Sequence, residues 1–183
     1  MLFTFGGLWL CLWRGRWRLA GLAPMIAATL VGAAHPQPDL LVAREAANIT
    51  LRGPDGSLSI ALPRTERYSA EQWLRRDGDA RRPGEATPGV FQCDLAACVA
   101  PAGDGHKLAY VTRRDALAEE CWASDILITP LVVTIPCRAG LVIDLIDLRR
   151  KGPHALWFQP DGSIEVGTSA EWRGQRPWVN PGK

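Results

Sequence analysis

The sequence predicts a small mixed α/β domain that follows an apolar helical segment at the N-terminus. Three short runs in the second half of the chain are apolar, rich in β-branched residues and separated by proline or glycine. They are Ile126–Ile128, Leu131–Ile135 and Leu141–Ile143. Such runs are typical of strands that are buried on both faces. The preceding residues, Arg114 to Trp122, are rich in Ala, Leu and Glu and predict a helix that leads into the first of these strands.

Shorter signals predict the other elements of residues 35–183. Strands are expected at Leu40–Ala43, Ile49–Arg52, Ser57–Leu62, Phe91–Cys93, Cys98–Val99, Leu108–Thr112, Ala155–Phe158 and Ile164–Val166. Proline and glycine predict hairpin turns at Gly53–Gly56 and Gln159–Ser163. Ser69 predicts the N-cap of a short helix that continues to Leu74. Loops or irregular segments are expected at Arg75–Pro88, Asp147–Gly152 and Arg173–Lys183.

Residues 1–34 predict a membrane segment. Met1–Trp13 and Leu19–Ala34 are apolar, and the three arginines Arg14, Arg16 and Arg18 lie between them. One interpretation is a helical hairpin or signal-anchor whose basic turn stays on the cytoplasmic side, as the positive-inside rule requires. The alternatives are a signal peptide that is cleaved near Ala33, and a buried soluble helix. The first two interpretations place residues 35–183 outside the cytoplasm, which predicts an inner-membrane protein with a soluble periplasmic domain.

The charge balance does not point to nucleic acid. The chain has 21 basic and 19 acidic residues, and three of the basic residues lie in the segment 1–34, which has no acidic residue. Residues 35–183 therefore carry 18 basic and 19 acidic residues. Because nucleic-acid-binding domains present a basic surface, this balance excludes a strongly basic footprint and gives DNA contact only weak support.

The cysteines predict disulfide bonds. Of the five cysteines, Cys11 lies in the apolar segment and is expected to stay reduced. Cys93, Cys98, Cys121 and Cys137 form an even set in the domain, which predicts two disulfides in an oxidising compartment. Three connectivities are possible, and we expect the local one, Cys93 with Cys98 and Cys121 with Cys137. Free thiols and a zinc site are the alternatives, although the second pair lacks the spacing of a zinc knuckle.

Motifs for catalysis are sparse. The three histidines, His35, His106 and His154, do not occur at metal-ligand spacing, so no metal and no other cofactor is expected. The sequence lacks the nucleophile-elbow, phosphate-loop and dinucleotide-binding patterns. Asp144 and Asp147 follow the strand at Leu141–Ile143, where they either serve in acid–base catalysis, cap a turn or solvate a helix start. We therefore expect that the chain is not an enzyme.

Several patches, taken in order, resemble a known family. They are Leu8–Arg18, Glu71–Asp79, Phe91–Cys98, Leu141–Asp144, His154–Trp157 and Arg176–Trp178. Together they resemble the C-terminal region of ComEC-type competence proteins, in the form seen in alphaproteobacteria, over almost the whole chain. In that family a polytopic membrane channel passes single-stranded DNA inward, and many members carry a C-terminal metallo-β-lactamase-like domain. The resemblance therefore implies a metallo-β-lactamase-type sandwich.

The chain departs from this family where the family binds metal. Ser124–Pro130 resembles the strand that leads to a His-His-Gly-Ser motif, but Leu131-Val-Val-Thr134 stands in its place. The other metal-binding motif is also missing, so the resemblance implies a degenerate sandwich without the hydrolase activity. The many-helix channel core is absent from this sequence, which leads us to expect a C-terminal fragment or split subunit.

The expected function is that of a non-catalytic accessory domain in DNA uptake across the inner membrane. Its expected partners are the membrane and a ComEC-type channel chain. One alternative is a secreted, disulfide-bonded binding module unrelated to DNA. A residual hydrolase that uses Asp144 and Asp147 is a further hypothesis.

Overall fold

The computed structural model describes residues 1–33, 36–61, 67–103 and 105–174. The chain divides into two units, Met1–Gln37 and Pro38–Lys183. His35, Leu62 and the part of the predicted irregular tail from residue 175 onward lie outside the described residues. The mixed α/β fold class is confirmed, because the second unit combines helices with two mixed or antiparallel sheets.

The first unit is a pair of helices joined by a tight turn. Helix α1 spans Leu2–Leu12, and a 3-10 helix at Arg16–Gly21 leads directly into α2 at Leu22–Ala33. A Cβ atom on Gly6 would lie 2.5 Å from the carbonyl oxygen of Gly21, so glycine allows α1 to pass close to the returning chain. Within the described residues, no helix has both the length and the apolar character needed to cross a bilayer.

The second unit contains ten strands and several helices among its described residues. The strands are β1 Leu40–Val42, β2 Ile49–Arg52, β3 Leu58–Ile60, β4 Gln92–Cys93, β5 Ala97–Ala102, β6 His106–Val111, β7 Ile126–Ile128, β8 Leu141–Ile143, β9 His154–Phe158 and β10 Ile164–Thr168. The helices are α3 Arg67–Asp77, α4 Arg114–Ala123, α5 Leu145–Lys151 and α6 Ser169–Arg173.

The strands form two five-stranded sheets. The first sheet has the spatial order β10-β9-β1-β2-β3, and all its neighbouring strands are antiparallel. The second sheet has the order β4-β5-β6-β7-β8. In this sheet β4, β5 and β6 pair antiparallel, whereas β6, β7 and β8 pair parallel because helix α4 and a loop connect them.

The two sheets face each other across the main core. From the first sheet, Leu40 and Leu51 contribute fully buried side chains to this core, and from the second sheet Ile126 and Ile128 do so. Strand β7 is buried on both faces, since Leu127 belongs to a separate cluster on the other side of the second sheet. The prediction that a continuous apolar run marks a central strand is thus confirmed at Ile126–Ile128.

Helices cover parts of both outer faces. On the first sheet, Leu58 and Ile60 pack against Leu74 of α3. On the second sheet, Leu127 packs in one cluster with Leu117 of α4. The layers therefore follow the order α3, first sheet, second sheet, α4. Each sheet shields one face in the shared core and part of the other face beneath a helix.

One predicted strand is absent and one predicted turn is a helix. Leu131–Ile135 is not a strand, because its amide groups bind side chains: Thr129 Oγ1 accepts from Leu131 and Asp144 Oδ2 accepts from Val133. Asp147–Gly152 was expected to be a charged turn, but most of it belongs to α5. The charges of this helix lie on its outer face, while Leu148 is buried in the core.

The helix around Ser69 also differs from its prediction. Ser69 lies inside α3 rather than at its N-cap, and α3 extends through Asp77 into the predicted loop Arg75–Pro88. A bidentate ion pair fixes this longer helix, since both carboxylate oxygens of Asp77 accept hydrogen bonds from Arg52 on β2, at 2.6 and 3.2 Å. Arg173 was assigned to the irregular tail but ends helix α6.

Candidate functional site

The four cysteines of the second unit form two disulfide bonds with the local connectivity. Cys93 and Cys98 face each other directly in the antiparallel pair β4–β5. Cys121 on α4 binds Cys137 in the segment between β7 and β8, with their Cα atoms 4.8 Å apart. Among the described residues, no group of three or more His, Cys, Asp or Glu side chains is placed to hold a metal ion. Cys11 is exposed on α1 and makes no disulfide.

A pocket of about 350 Å³ lies beside the Cys93–Cys98 disulfide. Its lining comes from the edge of the second sheet and from α4: Gln92, Cys93, Asp94, Ala97, Val99 and Glu120. Gln92 and Val99 are partners in the β4–β5 register, so they share one face of the sheet. Glu120 reaches this face because α4 packs across it.

Two carboxylates give the pocket acidic character. Asp94 Oδ1 accepts hydrogen bonds of 2.7 Å from the backbone N–H groups of Ala97 and Ala96, and these bonds lower the pKa of Asp94 below its usual value. Glu120 Oε2 is buried and makes no hydrogen bond within the described structure; the Lys107 ammonium lies 3.7 Å away as an ion-pair partner. The lining thus supplies hydrogen-bond acceptors and an amide, but no side chain that acts as an activated nucleophile.

Asp144 and Asp147 lie together at the start of α5, where they have structural contacts. Asp144 is the N-cap: its Oδ1 accepts from the N–H groups of Ile146 and Asp147 at 2.9 and 3.0 Å. Its Oδ2 accepts from Val133 at 3.2 Å. Asp147 pairs with Lys151 one turn later at 3.1 Å. Both oxygens of Asp144 are therefore bound to backbone amide groups: Oδ1 caps α5, and Oδ2 binds the segment between β7 and β8.

The two described histidines also bind backbone groups. His154 is almost fully buried at the start of β9, and its Nδ1 lies 2.8 Å from the carbonyl oxygen of Gly152. Burial lowers the pKa of His154, with a smaller contribution in the same direction from the charge of Lys151. His106 Nε2 lies 3.2 Å from the carbonyl oxygen of Gly162, in the turn that follows β9. The two rings lie on different strands and do not form a pair.

Arg14, Arg16 and Arg18 occupy the turn of the helical hairpin. All three are exposed, and Gly15, which lies between Arg14 and Arg16, has a φ of +89° that favours glycine. The indole Nε1 of Trp9 donates a 3.3 Å hydrogen bond to the carbonyl oxygen of Trp17, which ties α1 to the basic turn. The predicted basic loop between two apolar stretches is thus a defined turn in the structure.

The sequence patches of the family resemblance fall on identifiable elements. Glu71–Asp79 covers the second half of α3, Phe91–Cys98 forms the disulfide-bonded hairpin, Leu141–Asp144 is β8 with its capping aspartate, and His154–Trp157 belongs to β9. Arg176–Trp178 lies outside the described residues. Comparison with protein-family models, with curated proteins and with solved structures finds no match for this chain.

Sequence reasoning did not find the pocket. Glu120 lies within helix α4 and Gln92 in a two-residue strand, and neither belongs to a known ligand-binding motif. Their proximity depends on how α4 crosses the second sheet, which no local pattern reports. One available signal was Asp94, because an Asp in a short turn between two strands often accepts backbone hydrogen bonds with its side chain.

Proposed function

We propose that the chain is a non-catalytic accessory domain of a ComEC-type DNA-uptake system. In this proposal residues 1–34 hold it at the inner membrane, and the second unit lies in the periplasm. The chain then corresponds to a C-terminal fragment or split subunit that works beside a polytopic channel chain. The proposal assigns it no DNA-binding surface of its own, in keeping with the near-neutral charge of residues 35–183.

The observation that carries this proposal is the layered arrangement of the second unit. Two facing sheets, each with a helix on its outer side, suit the metallo-β-lactamase-like sandwich that the resemblance implies. The segment after β7, where the family has its His-His-Gly-Ser motif, is Leu131-Val-Val-Thr134 here. Its backbone binds Thr129 and Asp144, so these polar side chains hold the loop rather than facing a substrate.

The two disulfides support the proposed periplasmic location of the second unit. Disulfides persist in oxidising compartments and are rare in the bacterial cytoplasm. Both cysteine pairs of the second unit are bonded, and the hairpin with its basic turn precedes them in the chain. A positive-inside orientation with Arg14, Arg16 and Arg18 in the cytoplasm delivers the second unit to the opposite side.

Deletion and co-purification together test the proposal. We expect that cells lacking this chain bind fluorescent duplex DNA at their surface but no longer transfer a strand into the cytoplasm. We also expect a polytopic channel protein to co-purify with the tagged full chain from detergent-solubilised membranes. A matched control restores the chain with the exposed Arg76→Gln substitution, which should return full uptake. Normal uptake after deletion, with no channel partner, would contradict the proposal.

The disulfides and the pocket also favour one alternative, a secreted binding module unrelated to DNA. The acidic pocket beside the Cys93–Cys98 disulfide lies on a covalently stabilised hairpin, an arrangement suited to holding a small ligand or side chain. The alternative predicts cleavage near Ala33 and a soluble product in the periplasm or medium. N-terminal sequencing of the mature protein separates the two functions, because the accessory domain keeps its first residues.

A further inference from the structure

In the hairpin of the first unit, the end that contains the turn is rich in tryptophan and arginine. The rings of Trp9 and Trp13 stack with their centroids 5.2 Å apart, and Trp9 Nε1 donates to the carbonyl oxygen of Trp17. These contacts place two stacked indole rings and the backbone of Trp17 at the turn, next to Arg14, Arg16 and Arg18. All of these residues lie within positions 9–18, and the fold keeps them at one end of the hairpin.

The rest of the hairpin is apolar and exposed. Large side chains along both helices keep about half or more of their surface uncovered: Leu2, Phe3, Phe5, Leu8, Leu12, Ile26, Leu30 and Val31. Exposed apolar surface of this extent marks a contact with another apolar phase or partner. Residues 1–38 contain no Asp or Glu, so no acidic side chain in this stretch neutralises the three arginines.

We propose that the hairpin binds anionic phospholipid, with its basic turn on the phosphate groups and its apolar helices among the acyl chains. The inference rests on the membrane placement in the proposed function and adds the class of lipid. Tryptophan prefers the interface between headgroups and acyl chains, so Trp9, Trp13 and Trp17 lie where the turn would meet the headgroups. Arginine forms paired hydrogen bonds with phosphate oxygens. The aliphatic surface next to the arginines favours lipid over nucleic acid as the occupant.

Vesicle flotation of the full chain tests this inference. Protein in mild detergent is diluted into vesicles of phosphatidylcholine alone, or of phosphatidylcholine and phosphatidylglycerol in equal parts. Each arginine near an anionic surface is expected to raise partitioning about fivefold, so the three together give a preference on the order of a hundredfold at low salt. High salt should reduce this preference, because screening weakens interactions between exposed charges.

Substitution identifies the residues responsible. The variant Arg14→Gln, Arg16→Gln, Arg18→Gln should bind both kinds of vesicle equally and at the level of wild type on phosphatidylcholine. The matched control Arg76→Gln, Arg82→Gln, Arg114→Gln removes the same charge from exposed positions of the second unit and should keep the full preference. Equal flotation of wild type on both vesicles would overturn the inference.

Two further outcomes separate this inference from the proposed function. Arginine-dependent binding to a single-stranded oligonucleotide, without any preference between the vesicles, would overturn the lipid assignment and make nucleic acid the ligand of the turn. A full preference for anionic vesicles in a chain whose deletion leaves DNA uptake unchanged would support the lipid inference and contradict only the proposed function.

Discussion

The Tyr110 hydroxyl donates a 2.6 Å hydrogen bond to the carbonyl oxygen of Ala46, and this bond joins the two sheets of the second unit. Tyr110 lies on β6 in the second sheet, and Ala46 lies in the turn between β1 and β2 of the first. Ala46 and its neighbour Glu45 have φ angles of +50° and +55°, a conformation that side-chain-bearing residues seldom adopt. The buried hydroxyl therefore holds a turn that the sheet hydrogen bonds alone do not specify.

Removing this hydroxyl should destabilise the second unit. Tyr110→Phe keeps the ring but leaves the Ala46 carbonyl oxygen without its donor, so we expect the free energy of unfolding to fall by about 1–3 kcal/mol. Urea unfolding of the full chain, followed by near-ultraviolet circular dichroism, measures the change. Tyr68→Phe is the matched control, because Tyr68 is exposed and should give almost no change. Equal effects of the two substitutions would contradict the role assigned to Tyr110.

Burial of Tyr110 also predicts a loss of stability in alkali. Burial raises the pKa of Tyr110 to about 12 from its ordinary value of 10.0. Because the folded state holds the proton more tightly than the unfolded state, this stability is fully present below pH 10 and is lost as pH rises toward 12. The difference in tyrosinate absorbance between wild type and Tyr110→Phe should have its midpoint near 12 in the folded chain. A midpoint that stays the same in urea would show that Tyr110 is not buried.

Substitution of Asp144 should change the stability of the second unit rather than a catalytic rate. Asp144→Ala removes the acceptor for three backbone N–H groups, and loss of such a helix cap costs about 0.5–2 kcal/mol. Asp147→Ala removes only a partly exposed pair with Lys151, worth about 0.3–0.5 kcal/mol. Thermal unfolding of both variants measures the difference. A metal-dependent nuclease activity that disappears in Asp144→Asn, with unchanged unfolding, would instead support the hydrolase hypothesis.

Local chemistry predicted the strands and cysteine pairs, but not the elements that depend on tertiary contacts. Ile126–Ile128 and Ile49–Arg52 were predicted with their observed bounds, because contiguous β-branched residues favour extended backbone. Leu131–Ile135 has the same composition, yet Val133 N–H in this segment donates to Asp144, which directly follows β8. Only the fold places that carboxylate beside Val133.

Two helices that the sequence did not predict begin at residues that cap them. Thr168 and Glu171 form a capping box at the start of α6, with Thr168 N–H donating to Glu171 Oε2 at 2.9 Å. The pattern Thr-x-x-Glu is the sequence signature of that box. Asp144 stands similarly before α5, but the charged residues that follow resemble a turn. Leu148 is buried, and its packing in the core favours a helix over a turn. This burial cannot be read from the sequence.

His154 predicts a loss of stability in mild acid. Burial lowers the pKa of His154 below its ordinary value of 6.5, so the folded state favours the neutral ring. The unfolded state binds a proton first as pH falls, so the contribution of this ring to stability is present above pH 6.5 and is lost below it. His154→Gln should flatten the pH dependence of the free energy of unfolding in this range. An unchanged slope in the variant would show that the pKa of His154 is the same in the folded and unfolded states.

The two disulfides should differ in their contributions to stability. Cys121 and Cys137 are 16 positions apart and Cys93 and Cys98 are five apart. In the chain-entropy model, a longer closed loop restricts the unfolded state more. The expected stabilisation is about 3 kcal/mol for Cys121–Cys137 and about 2 kcal/mol for Cys93–Cys98. Paired Cys→Ser substitutions in each bond, compared by urea unfolding under non-reducing conditions, measure both values. A larger loss on removing Cys93 and Cys98 would contradict the ranking.

Thiol counting tests these bonds together with the proposed periplasmic position of the second unit. In full-length protein made in a host with a periplasm, then denatured without reductant, we expect one reactive thiol, from Cys11. An oxidising compartment is needed for the four cysteines of the second unit to pair, because cytoplasmic reductants keep thiols reduced. A Cys11→Ser variant is the control and should show no reactive thiol. Five reactive thiols in the wild-type chain would contradict both the pairing and the proposed periplasmic position, because the second unit would then have folded in a reducing compartment.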